Sequence, residues 1–169
     1  MDIDATVSGA AANSYLTVAE VDELLNGYSS ADKWDELQDP DDKKRLLMIG
    51  TRRIDRFKNW PPGAVLGQRL TFPCSLDDPK TAIPEQVKRA LLEFVDAALD
   101  GSLDALKTLQ AEGVTNMSVL GQSTTFREDK SQLPAGARAE LDVLWDGYNA
   151  PRLAERPYDG SKDCNSIFE

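Results

Sequence analysis

The stretch that most constrains the fold is Pro84 to Gly101, PEQVKRALLEFVDAALDG. Val87, Leu91, Phe94 and Ala98 recur at helical spacing, and Leu92, Val95 and Leu99 form a second apolar stripe beside them. A helix apolar over so wide an arc must be covered on more than one side. The remaining helices are therefore expected to pack around it. Proline opens it and Gly101 supplies the left-handed stop.

Other elements announce themselves by their caps. Thr17 and Glu20 have capping-box spacing, with Leu16 and Val21 placed to staple the helix that runs toward Gly27. Ser29 or Ser30 can cap a short helix, ADKWDEL, anchored by Trp34 and Leu37. Asp39, Pro40, Asp41 and Asp42 form a strong start signal for a helix through KKRLLMIGTRRIDRF, which WPPG must stop. Leu47, Gly50, Ile54 and Phe57 give that helix its apolar stripe. Residues 64–82 lack helical period and read as a long ordered loop, with an extended piece at Arg69–Phe72 and with Leu70 and Phe72 as anchors.

Beyond Gly101, Leu103, Leu106 and Leu109 suggest a short helix capped by Ser102. VTNMSVL and STTFRE then alternate, predicting a β-hairpin at about 114–128. Two strands alone are marginal in water, so the hairpin should lie on the helices or pair with another subunit. A last helix begins at Pro134, with Ala137, Leu141, Leu144, Trp145 and Tyr148 inward. The expected fold is mainly α: a small helical bundle with one β-hairpin and an extended C-terminal tail. Residues 1–12 are expected as a flexible N-terminal segment, 13–148 as the domain, and 149–169 as an extended C-terminal arm, either a disordered terminus or a peptide that orders on a partner.

Chemistry is scarce. The chain of 169 residues contains no histidine, which removes Ser-His-Asp and Cys-His catalysis and imidazole-bearing zinc sites. Cys74 and Cys164 lack CxxC spacing and are expected as free thiols of a reducing compartment. No GxxxxGK[ST], GxGxxG or GxSxG is present. The acid pairs Asp41-Asp42 and Asp77-Asp78 sit beside prolines at element ends, where capping explains them. No catalytic, cofactor-binding or metal site is expected, no run is apolar enough for a membrane helix, and no signal peptide is read at the N-terminus.

The binding candidate is the basic helix. Arg45, Arg52, Arg53 and Arg56 lie on it, with Lys43, Lys44 and Lys58, against Asp55, inside a chain of formal net charge -10. Three partners suit such a face: water, an acidic protein surface including a neighbouring copy, or nucleic acid. The charge and the scattered aromatics weigh against nucleic acid. In the tail, Leu153, Tyr158, Ile167 and Phe168 are the apolar residues available to a protein partner.

ANSYLTVAEVDELL at 12–25, Trp34, RRIDRF, Trp60, GQRLTFP and IPEQVKRALLEF succeed one another in an order that resembles the head-tail connector (adaptor or head-completion) proteins of long-tailed phages. Some members of that family carry the label DnaT-like single-stranded DNA-binding protein. The similarity spans roughly residues 12–148; Cys74 stands where the family often has arginine, and the tail is longer than the family leads one to expect. The resemblance implies a non-enzymatic, dodecameric ring in the virion neck, assembled in the host cytoplasm. It would join the portal protein to a stopper or tail-side neck protein, with DNA as passing cargo and no membrane partner. The alternative is a single-stranded DNA-binding protein of replication.

Overall fold

The computed structural model describes residues 2–102 and 133–149, and the backbone alone of 116–119 and 122–125. The chain is mainly helical. Its five α-helices among the described residues are α1 (Val18–Leu24), α2 (Ala31–Asp35), α3 (Pro40–Asp55), α4 (Glu85–Asp100) and α5 (Ala135–Asn149). A 3-10 turn, Leu25–Gly27, extends α1.

Helix α4 is the centre. Val87, Ala90, Leu91, Leu92, Phe94, Val95 and Ala97 are buried, and α4 packs chiefly against α3 and α5. Gly101 ends it in the left-handed conformation, φ 81°. The tightest seam is with α3, at Gly50. A Cβ there would lie 2.5 Å from Leu91 Cδ1 and 2.7 Å from Phe94 Cδ1. Glycine lets the two helix backbones approach, and Leu47, Met48, Thr51 and Ile54 fill the flanks.

The caps fold as their spacing predicts. Thr17 accepts from the Glu20 N–H at 3.2 Å while Glu20 accepts from the Thr17 N–H at 2.7 Å. Leu16 and Val21 are both buried. Asp39 accepts from the Asp41 N–H at 2.8 Å, with Pro40 as the first helical residue. Helix α3 stops at Asp55, two residues before Phe57. There the Trp60 indole N–H donates to the Ile54 carbonyl at 3.0 Å and the Phe57 N–H to the same carbonyl at 3.1 Å. Helix α2 lacks a side-chain cap; its Ser30 N–H donates to Asp96 at 3.0 Å instead.

Two segments depart from expectation. Residues 2–14 form a hydrogen-bonded loop in place of a flexible leader: the Asp4 N–H donates to the Asn13 side chain at 3.0 Å, and the Asn13 N–H to the Asp4 carbonyl at 2.8 Å. Residues 69–72 are not a strand. The Gln68 side-chain amide donates to the carbonyls of Leu70 (2.7 Å), Thr71 (3.2 Å) and Pro73 (2.9 Å), taking the groups a strand partner would need. The Gln68 side-chain carbonyl accepts from the Val65 N–H at 2.9 Å, so one side chain organises the loop. Phe72 is its buried anchor and Leu70 a half-buried one.

The helix expected after Ser102, the rest of 114–128, Cys164 and the arm beyond Asn149 lie outside the described residues.

Gly50→Ala is expected to lower stability by about 1–3 kcal/mol through overpacking, whereas Gly27→Ala, with open space around it, should stay within about 0.5 kcal/mol of the parent. Paired urea unfolding curves check both.

Candidate functional site

Most cations of α3 are already engaged. Lys43 pairs with Asp22 at 3.2 Å and lies 4.7 Å over the Trp34 ring, whose indole N–H donates to the same Asp22 at 2.6 Å. Lys44 reaches Asp41 at 3.0 Å, and that hydrogen bond raises its pKa. Arg45, exposed, pairs with Asp42 at 2.8 Å. Arg53 is half-buried with its guanidinium 5.0 Å over the Phe94 ring, and burial lowers its pKa. Lys58 pairs with Asp142 of α5 at 2.6 Å.

Arg52 and Arg56 differ. Both are exposed, and neither makes an ion pair or hydrogen bond among the described residues. They stand four residues apart on one face, in line with Ile49, which is 42% exposed. Of the four arginines expected to form an interface, these two present their charge outward without an ion pair among the described residues, although the Arg56 charge is felt by Asp55. Leu153, Tyr158, Ile167 and Phe168 lie outside the described residues.

The same end of α3 borders a groove of about 460 Å³, lined by Asp55, Trp60, Pro61, Pro62, Gly63 and residues 65–71. Arg69 stands on its rim, its guanidinium donating to the Ala11 carbonyl at 3.3 Å. Leu66 at the loop tip is fully exposed. The groove wall is stiff. Trp60 meets Phe72 (5.0 Å), Trp145 (5.6 Å), Phe57 (6.4 Å) and Tyr148 (6.5 Å) in edge-to-face or tilted contacts. The Tyr148 hydroxyl donates to Asp77, which also accepts from the Cys74 N–H at 2.6 Å. Burial, then the bond to Asp77, raises the Tyr148 pKa, and burial raises that of the Cys74 thiol.

Asp55 is half-buried at the edge of this groove. It accepts from the Tyr15 hydroxyl and from Thr71, and desolvation raises its pKa despite those donors. The Tyr15 hydroxyl in turn accepts from the Phe72 N–H at 3.3 Å. Burial, and then the charge of Asp55, drives the Tyr15 pKa up. On α4 the charge has the opposite sign: Glu93 is raised first by burial, then by Asp96 and Glu140.

The groove residues Trp60, Gln68 and Arg69 escaped the sequence reading as a site, although the long GQRLTFP loop was the signal that located them. Among the described residues, no helix is long and apolar enough to cross a membrane, and no group of three or more potential ligands could hold a metal ion.

Fold and site together define a small helical domain that carries an exposed arginine pair beside an aromatic-walled groove. The chain belongs to the family described as "putative DnaT-like ssDNA binding protein", whose model matches residues 1–143. Comparison with curated proteins gives no match, and comparison with solved structures gives none.

Tyr15→Phe removes a donor from half-buried Asp55 and the buried acceptor of the Phe72 N–H, so it should cost about 1–3 kcal/mol, read as a shift in urea midpoint. Glu93, its folded pKa above the ordinary 4.5, binds more protons folded than unfolded in that window. Its contribution therefore falls as pH rises through the folded value. Glu93→Gln should stabilise the protein at neutral pH, and the gain should vanish once the pH drops below the ordinary glutamate value. An equal gain at both pH values would contradict the assignment.

Proposed function

We propose that the chain is a non-enzymatic binding protein that takes single-stranded DNA on Arg52 and Arg56, with Arg69 at the rim of the Trp60 groove. The observation that carries this reading is the family match over residues 1–143. The geometry limits it usefully. With Lys43, Lys44, Arg45 and Lys58 paired to acids of the same chain, this face offers phosphates two or three cations among the described residues, Arg52, Arg56 and Arg69. A net charge of -10 also repels a long polyanion. The contact is short and salt-sensitive in proportion.

Each phosphate neutralised on a single strand contributes about −0.7 to the slope of log affinity against log salt, so two or three give about −1.4 to −2.1. Fluorescence anisotropy with a labelled deoxyoligonucleotide across a salt series measures it. The Arg52→Glu/Arg56→Glu double variant should abolish binding while leaving the unfolding midpoint near that of the parent. Absence of binding even at low salt would overturn the reading.

A second reading is favoured by that same neutralisation and by the crowded carboxylates of α4 and α5: a structural head-tail adaptor. In it, copies form a ring beneath the portal and link it to the next neck component, while DNA passes through an acidic lumen with little attraction. The expected hairpin and the residues after Asn149 would serve the contacts between subunits and with the portal. Mass measurement of the purified protein with and without portal tests it. A strict monomer that ignores portal and binds oligonucleotide rejects the adaptor; a portal-dependent ring that ignores oligonucleotide rejects the DNA-binding protein.

A further inference from the structure

The outer face of α3 is complementary to a segment of the same chain. Ile49, Arg52 and Arg56 form a stripe along the helix, an exposed apolar side chain succeeded by two exposed arginines that make no ion pair or hydrogen bond among the described residues. Helix α5 ends at Asn149 beside the C-terminal end of α3. Lys58 pairs with Asp142 at 2.6 Å, and the rings of Trp60 and Tyr148 are 6.5 Å apart. The chain therefore leaves α5 at the end of α3 where Arg52 and Arg56 stand.

The residues beyond α5 have the matching chemistry. Residues 159–169 hold three acids, Asp159, Asp163 and Glu169, against Lys162, and they hold Ile167 and Phe168. The preceding stretch, 150–158, supplies the tether. Ten residues from Asn149 to Asp159 span up to about 33–36 Å when extended, against about 24 Å for the whole of a 16-residue helix. A short tether places its ends at millimolar effective concentration, so weak individual contacts suffice.

We propose that residues 159–169 dock on the outer face of α3 of their own chain. Their carboxylates pair with Arg52 and Arg56, and Ile167 or Phe168 covers Ile49. The docked segment occupies the arginines that the DNA reading uses, but it does not rest on that reading, and no nucleic acid enters its test.

Cys164 lies within the segment, whereas Cys74 is fully buried, so a nitroxide can be placed on Cys164 of the full chain. In the nitrogen-15 spectrum of that protein, the amides from Ile49 to Arg56 should lose intensity while those of the distant α4–α5 acid face keep it. The Asp159→Lys/Asp163→Lys variant should restore them. Intensity retained along α3 in the parent overturns the proposal. So does loss that the charge-reversed variant leaves unchanged. Mixing nitroxide-bearing protein at natural isotope abundance with unlabelled nitrogen-15 protein separates the remaining case. Loss in the mixture equal to that in the singly prepared sample assigns the contact to a second copy and rejects docking within one chain.

Discussion

A half-buried carboxylate holds three distant segments together. Asp55 sits at the last turn of α3, accepts from Tyr15 of the N-terminal segment and from Thr71 of the long loop, and is desolvated by both. An acid in that position is costly unless its oxygens are satisfied. Each donor is therefore fixed by the need of the others. The same tyrosine hydroxyl takes the Phe72 N–H, which seats the Phe72 ring 5.9 Å from that of Tyr15 and 5.0 Å from that of Trp60. The groove beside the arginines is a by-product of this knot. Asp55 lines it from the end of α3, and the loop that Gln68 organises forms its far wall.

Charge in this protein is best understood locally. A formal net charge of -10 describes the whole chain, but acids and bases are not mixed evenly over it. Along α3 the first cations are matched by acids three residues earlier, Asp41 to Lys44 and Asp42 to Arg45, pairs that also complement the helix dipole. Exposed pairs of this kind contribute little to stability, but they remove charge from the reach of a ligand. Arg52 and Arg56 have no acid three or four residues before them; those positions hold Met48, Ile49, Arg52 and Arg53. Their freedom is written in the helix register, even though the sum of charges hides it.

This distinction explains what the sequence disclosed and what it withheld. The helix starts at Thr17 and Asp39, the stop at Gly101 and the wide apolar arc of α4 depend on neighbours within one turn, and all were legible. The turn-by-turn pairing of α3 was legible in principle too, because it is an i to i+3 relation. Asp55, by contrast, reads as one more solvated charge in RRIDRF until Tyr15, 40 residues away, is placed against it. Residues 2–14 read as a flexible leader because small residues and acids have no period, whereas their shape comes from hydrogen bonds across the loop between Asp4 and Asn13. Gln68 is the same lesson. A glutamine that binds three carbonyls of its own loop leaves no pattern in composition or spacing.

The aromatic cluster at the groove shows how far the site extends. Trp60 is positioned by Phe57 and Phe72 from one side and by Trp145 and Tyr148 of α5 from the other. The family match ends at residue 143, so the latter two rings lie beyond it. Trp145 and Tyr148 brace the Trp60 ring from behind without lining the groove themselves. Tyr148 is in turn held by Asp77, whose other oxygen fixes the Cys74 N–H. The last turn of α5, the Cys74–Asp77 turn and the tryptophan are thus tied into one contact network. Whatever occupies the groove meets a surface already ordered by buried contacts, and the entropy of ordering falls on the ligand rather than on the protein.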